Sequence, residues 1–286
     1  MVKSQEDLSW AFQVCSQSKA DVASPIVTEA TLLISLALDC IYACQQTNQL
    51  EVAMKIYDCL PERPSGGLNS NPELTRLHDQ LDRLQSHLEA ADILENHGVP
   101  LTPAVILEEQ MDEEQTEQLF VRLTRTVMRK TQPLTDNQWK DVLGDMLELQ
   151  KKSFNRISPQ MCYEILVGSL LSSSRKENIA WAGLMLQLDR DNRSADQGAS
   201  ANSKKLVEAR RGHYENPNDY IPFERSKQLI LQAAEEYFNS SENLSDPSLE
   251  LANYCLGLIT IEDKQIQEEK VKYSLNHKTS LLLLWK

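Results

Sequence analysis

Glycine is scarce, at 9 of 286 residues, and aromatic residues make up only 6%. The remainder is rich in Leu, Ala, Glu and Gln, side chains that lose little freedom in a helix, so the composition favours helices over sheets. A bilayer-spanning run is also missing. The longest apolar stretch, Leu32 to Ala43, is broken by Ser35 and Asp39 and falls short of the ~20 apolar residues that a membrane helix needs. Positive charge is in deficit, with 29 Lys and Arg against 42 Asp and Glu and a formal net charge of -13. Wholesale attraction to nucleic acid or anionic lipid is thereby disfavoured, because both are polyanions.

The six cysteines, at 15, 40, 44, 59, 162 and 255, form no dense framework of the kind that small secreted domains use. A reducing cytosol is the expected setting. Met1 to Trp10 holds acidic residues and no apolar core of a secretory signal. The sequons at Asn192, Asn239 and Asn243 are accordingly read as chance.

Recognisable catalytic signatures are absent too. There is no G-x-S-x-G, no phosphate-cradling Gly loop and no H-E-x-x-H. None of the histidines, 78, 87, 97, 213 and 277, has a neighbour at zinc or triad spacing. Cys40 and Cys44 stand one helical turn apart, but no His or third Cys lies nearby, and core packing is the expected role. Asp189 to Gly198 superficially resembles a calcium loop. It lacks the ligand at the fifth position, the Gly at the sixth and the closing Glu, and reads as a linker. No catalytic, cofactor-binding or metal-binding residue is assigned, no cofactor is expected, and no partner-binding residue can be named. The expectation is a non-enzymatic protein.

What is present is helical periodicity with punctuation. Trp139, Val142, Leu143, Met146 and Leu147 mark one helix face, as do Ile230, Ala233, Ala234, Tyr237 and Phe238. Capping side chains stand just before proline at Ser24, Asn71, Thr102, Ser158 and Asp246, a helix-start pattern because proline sacrifices no bond at the first helical position. Thr135 to Gln138 reads as a capping box, flanked by Leu134 and Trp139 in the positions of a hydrophobic staple. Gly98, followed by Pro100, reads as a left-handed helix stop.

These signals predict helices near 4–18, 26–46, 49–60, 72–96, 103–110, 113–130, 136–156, 159–173, 176–188, 222–239 and 246–260. Short connections make them antiparallel hairpins, and no fixed repeat signature is found. The expected fold is all-α, an irregular α-solenoid, with a single helical domain over 1–269. A polar insertion at 189–220 is expected to be disordered, and 270–286 forms an atypical tail. Arg122, Arg125, Arg129 and Lys130 form a basic patch on a helix that opens with Asp112, Glu113 and Glu114. That order matches the helix dipole, so a solvated helix is the first reading and an anion or partner site the second.

Particular segments carry a resemblance. They are Leu36 to Cys44, Val121 to Arg125, Met161 to Ile165 with Ser169 to Leu171 and Ser173 to Arg175, and above all Ala234 to Ser241. Asn243 to Asp246, Leu251, Ala252, Cys255 and Leu256 follow in order. Together they resemble the neuroblastoma-amplified sequence (NBAS) protein family. The resemblance implies a long α-helical domain, shared with a yeast secretory-pathway tethering subunit and lying downstream of a β-propeller. It also implies a peripheral tethering complex on the endoplasmic reticulum, linking SNARE proteins to Golgi-derived vesicles in retrograde transport. Its implied partners are tethering subunits and SNAREs, with membrane association through those partners only. The family is linked as well to nonsense-mediated mRNA decay, which supplies the alternative reading of a protein-interaction module there; no residue here points to direct RNA contact. No propeller precedes these helices, so a fragment is expected. Lys270 to Lys286, with its apolar Leu281 to Trp285, does not match the family's next helix and reads as a truncated or mis-spliced end.

Overall fold

The structure, a computed structural model, describes residues 7–19, 21–63, 72–109, 112–129, 134–186, 221–241, 246–259, 266–268 and 271. All regular secondary structure among them is helical, with no strand, so the chain is all-α. The helices are α1 (Ser9–Ser16), α2 (Ala30–Ala43), α3 (Leu50–Tyr57), α4 (Pro72–Asn96), α5 (Pro103–Glu109) and α6 (Glu113–Met128). They continue as α7 (Asp136–Lys152), α8 (Pro159–Leu171), α9 (Lys176–Met185), α10 (Phe223–Ser240) and α11 (Pro247–Gly257). The expected insertion at 189–220 and most of the 270–286 tail lie outside the described residues, as do Asn192, Asn243, His213 and His277.

Backbone packing groups the chain into two compact units. One comprises Met1–Arg129 with Asp145–Ile157, the other Lys130–Gly144 with Ser158–Lys286.

In the first unit each helix packs on the next from α1 to α6, and α1 also meets α3 while α2 meets α4 and α5. Contact with the next helix and with the next but one is how stacked hairpins bury their apolar stripes. The longest helix, α4, carries the stripe Leu77, Leu81, Leu84, Leu88, Ala91 and Leu94, all buried. The segment from Asp145 onward docks on α4 through polar contacts. Lys152 Nζ bonds Glu89 Oε2 at 2.6 Å, and Ser153 Oγ donates to the Ser86 carbonyl at 3.2 Å. Phe154 meets Phe120 of α6 edge-on, with ring centres 5.8 Å apart.

The second unit pairs α8 with α9 and α10 with α11, then joins the pairs through α8–α10 and α9–α11 contacts. Tyr237 of α10 is the main polar link. Its hydroxyl donates to the Leu171 carbonyl at 2.8 Å and also reaches that of Ser173, covering backbone acceptors that the end of α8 leaves without helical partners. Glu164 on α8 is almost fully buried, yet Arg225 Nε reaches one of its oxygens at 2.7 Å and Gln160 Nε2 the other at 2.8 Å. A buried carboxylate is tolerable on such terms and costly otherwise. Trp139 and Trp181 lie tilted against each other, 6.2 Å between ring centres.

Several helix starts follow the sequence expectation at the atomic level. Ser158 accepts from the Met161 amide at 3.2 Å and Asp246 from the Ser248 amide at 2.8 Å. The capping box is reciprocal: Thr135 N–H donates to Gln138 Oε1 at 2.9 Å, and Gln138 N–H to Thr135 Oγ1 at 3.4 Å. Ser24-Pro25 is the exception, for α2 begins at Ala30 rather than near 26. The Ile26 amide bonds the Gln17 carbonyl at 3.2 Å and the Val27 amide bonds Ser18 Oγ at 3.0 Å. Those donors are tied back to the residues just past α1, and no helix forms before Ala30. Residue 147 is a smaller correction, because Leu149 is buried on α7 where Leu147 is only half-buried.

The end of α4 is a Schellman motif. Gly98 has φ +76°, its amide bonds the Glu95 carbonyl at 2.8 Å, and the Val99 amide bonds the Leu94 carbonyl at 2.9 Å. A Cβ at Gly98 would sit 3.4 Å from Thr126 Cγ2, so space is adequate and the left-handed backbone is the obstacle. Gly98→Ala is therefore expected to destabilise the fold by about 1–2 kcal/mol, read as a lower urea midpoint with unchanged m-value. Tyr237→Phe should cost about 1–3 kcal/mol by leaving buried carbonyls unpaired, visible as a lower thermal midpoint.

Candidate functional site

Helix α2 is apolar nearly all round, and its two sides have different fates. Leu33, Ile34, Ala37, Leu38 and Ile41 are buried in the first unit. Between α2, α4 and α5 the packing leaves an open groove of about 580 Å³, within the range of about 300–1,000 Å³ common for binding clefts. Its apolar lining is the buried Leu38 of α2 and Leu77 of α4, with half-buried Leu107 of α5 and exposed Ala43 of α2 beside them. Its rims are charged. Asp39 lies on the α2 side, while Arg76 and Arg83 lie on the α4 side with Gln80 between them.

The two arginines are seven residues apart, so their side chains recur on one face about 10 Å apart along the helix axis. Both are exposed, and neither has a hydrogen bond or ion pair among the described residues. Other charges on α4 are engaged: Asp79 and Asp82 both bond Arg63 Nη2, at 2.8 and 2.6 Å. Tyr42 stands at the groove edge, its hydroxyl 2.9 Å from Nδ1 of the fully buried His87. Burial pushes the Tyr42 phenol up to about 12, and the positive charge of Arg83 partly opposes this.

A second charged surface runs along α6. Asp112 caps the helix by accepting from the Glu114 amide at 2.9 Å. Glu114, Glu117, Arg122, Arg125 and Arg129 then line one open face of about 570 Å³. All three arginines are exposed and without ion pairs among the described residues; Lys130 lies outside them. The acid-to-base order is the dipole-matched one. No wall from another helix encloses this face in the way that α2 and α5 enclose the first groove.

The remaining candidates resolve into structural roles. All six cysteines are free, and five of them are buried. Burial first, then the neighbouring Cys59 and Cys40, pushes the Cys15 thiol up to about 11, and burial pushes Cys162 and Cys255 up to about 12. Such thiols stay protonated and act as small apolar groups. Cys44 directs its sulfur to the Gln46 carbonyl at 3.8 Å. No cluster of His, Cys, Asp or Glu able to hold a metal occurs among the described residues. His97 Nε2 contacts Asp145 Oδ2 at 2.6 Å, fastening the loop after α4 to α7. His78 is buried on α4, and Asn239 is an exposed residue of α10. The calcium-like stretch 189–198 and Leu281 to Trp285 lie outside the described residues. No described helix is long and apolar enough to cross a membrane.

Among curated proteins, the chain is 35% identical over 263 residues to the human "NBAS subunit of NRZ tethering complex", an alignment covering 92% of this chain and 10% of that protein. The chain belongs to the NBAS family. A second relative, "MAG2-interacting protein 2" of Arabidopsis thaliana, is 22% identical over 266 residues, or 88% of this chain and 10% of its own length. The chain thus spans about a tenth of the length of the curated relatives it matches. No protein-family model matches it, and no solved structure does.

Many of the residues behind the NBAS resemblance are packing residues. Cys162, Tyr163, Glu164, Ile165, Leu170 and Leu171 are buried on α8, as are Ala234 and Tyr237 on α10 and Leu251, Ala252, Cys255 and Leu256 on α11. They are the surfaces by which these NBAS-like helices hold one another.

These buried groups fix a pH response. Cys15, Cys162, Cys255, Tyr42 and Tyr237 are all raised by burial in the folded chain. Once unfolded they ionise at their ordinary values, so unfolding releases protons at alkaline pH and stability falls as pH rises. Denaturant midpoints should hold up to about pH 8.5 and then decline from about pH 9 to pH 12, the span between the ordinary thiol pKa and the raised values of Cys162 and Cys255.

Proposed function

We propose that this chain is a non-enzymatic scaffold segment of a vesicle-tethering complex at the endoplasmic reticulum, serving Golgi-to-endoplasmic-reticulum transport through contacts with tethering subunits and SNARE proteins. The observation that carries this reading is the 35% identity, over 92% of the chain, to a human protein that is a subunit of a tethering complex. The architecture is of the right kind. Stacked helical hairpins bury their stripes against one another and leave elongated surfaces for partner helices. The negative charge and the protonated, buried thiols also suit a binding protein better than a nucleophilic enzyme. In this reading the protein is cytoplasmic and meets the membrane through its partners.

The test is a pulldown with the tagged full chain from cytosol and detergent-solubilised membranes, read by mass spectrometry. Enrichment of tethering-complex subunits together with endoplasmic reticulum SNAREs is the expected result. Enrichment of RNA-decay factors without any tethering subunit would overturn the proposal and favour a role in nonsense-mediated decay.

A further inference from the structure

We propose that the groove between α2, α4 and α5 is a docking site for an amphipathic helix of a partner protein, one carrying an apolar stripe flanked by acidic side chains on the edge that faces α4. This rests on the scaffold reading only for which protein supplies the helix.

Three features of the groove select such an occupant. Its floor is apolar and framed by three helices, so a segment entering it gains by burying leucine-sized anchors at i, i+3, i+4 and i+7. Its α4 rim holds Arg76 and Arg83 at a two-turn interval, the interval at which residues on one face of a bound helix recur. Both guanidinium groups are free of ion pairs among the described residues, although the chain carries 42 acidic residues against 29 basic ones. In a chain so acidic, two cations left unpaired beside an apolar floor form a local positive edge that steers an acidic partner and rejects a basic one. Asp39 on the opposite rim adds polarity across the groove. A helix with acids along one edge of its stripe and bases along the other has one preferred orientation there.

The α6 face lacks this combination. Its arginines outnumber those of the groove, but glutamates share the surface and no second helix supplies an apolar wall. Attraction there would be electrostatic alone and strongly screened by salt.

The proposal is tested with the full chain and two fluorescein-labelled synthetic helices of about five turns, identical in their leucine stripe. One carries glutamate at two flanking positions seven apart; the other carries lysine there. Anisotropy should show saturable binding of the glutamate peptide and little of the lysine peptide. The exposed double variant Arg76→Glu/Arg83→Glu, with an unchanged circular dichroism melt, should bind the glutamate peptide roughly tenfold more weakly and should gain affinity for the lysine peptide. Equal binding of both peptides, an unchanged affinity in the double variant, or self-association of the chain that the double variant abolishes would each overturn the proposal. The pulldown separates this idea from the broader one. If wild-type chain recovers tethering subunits while the peptides show no charge preference, the groove assignment falls and the scaffold role stands. If charge-selective peptide binding holds while no tethering subunit is recovered, the reverse is true.

Discussion

Burial of the leucine stripe on α4 is the constraint that organises the first unit. A helix of 25 residues with Leu77, Leu81, Leu84, Leu88 and Leu94 on one side cannot leave that side in water, since each fully buried leucine is worth about 1.5–3 kcal/mol. Helices α2, α3 and α5 pack on α4, and the chain after Asp145 joins through Lys152 and Ser153. Some of the polar groups drawn into this packing are matched within it. His87, fully buried on α4, meets the Tyr42 hydroxyl, and the Schellman motif at Gly98 pairs the carbonyls of Leu94 and Glu95 at the helix end. The same packing creates the groove, because α2 and α5 both contact α4 and leave Leu77 and Leu38 at the bottom of the space between them.

The second unit solves the equivalent problem with fewer buried leucines among the described residues and with polar bonds between α8 and α10. Glu164 is held by Arg225 and Gln160, and Tyr237 closes the end of α8. The Arg225 and Tyr237 bonds join residues 61 and 66 positions apart in sequence. A change at either partner leaves a charge or a carbonyl stranded, which penalises misregistered packing of α10 on α8 more sharply than apolar contact does. Many residues that carry the NBAS resemblance lie on these helices, with buried ones such as Tyr163, Tyr237 and Cys255 beside exposed ones such as Glu235 and Asn239.

Helix existence was legible because its determinants are local. Pro159 after Ser158, Pro247 after Asp246 and the Thr135–Gln138 box each state a helix start within four residues, and the structure forms all three. Ser24-Pro25 carries the same local signal and fails, because Ile26 and Val27 find acceptors in Gln17 and Ser18, just past α1, that a short window cannot contain. The histidines repeat the lesson. His87 and His97 look partnerless in sequence, yet their partners Tyr42 and Asp145 lie 45 and 48 residues away. The groove was barely legible. A weak signal existed in Arg76 and Arg83 recurring at seven residues, but Asp79 and Asp82 between them suggest internal pairing. Only the fold shows that Arg63 takes both aspartates and leaves the arginines free of partners among the described residues.

That division bears on how a scaffold of this kind acquires specificity. Residues such as Tyr163, Tyr237 and Cys255 are committed to neighbouring helices, so they fix the fold without being available to a partner. Discrimination between partners has to come from exposed groups that the fold positions but does not consume. On the first unit these include the two arginines over the apolar groove and the charged face of α6. Because the arginines stand on a helix whose opposite side is locked into the core, their spacing is held by the backbone rather than by side-chain bonds. A helical partner can therefore be met by a preset pattern of charge with little ordering cost, while the apolar floor supplies affinity and the rim supplies orientation.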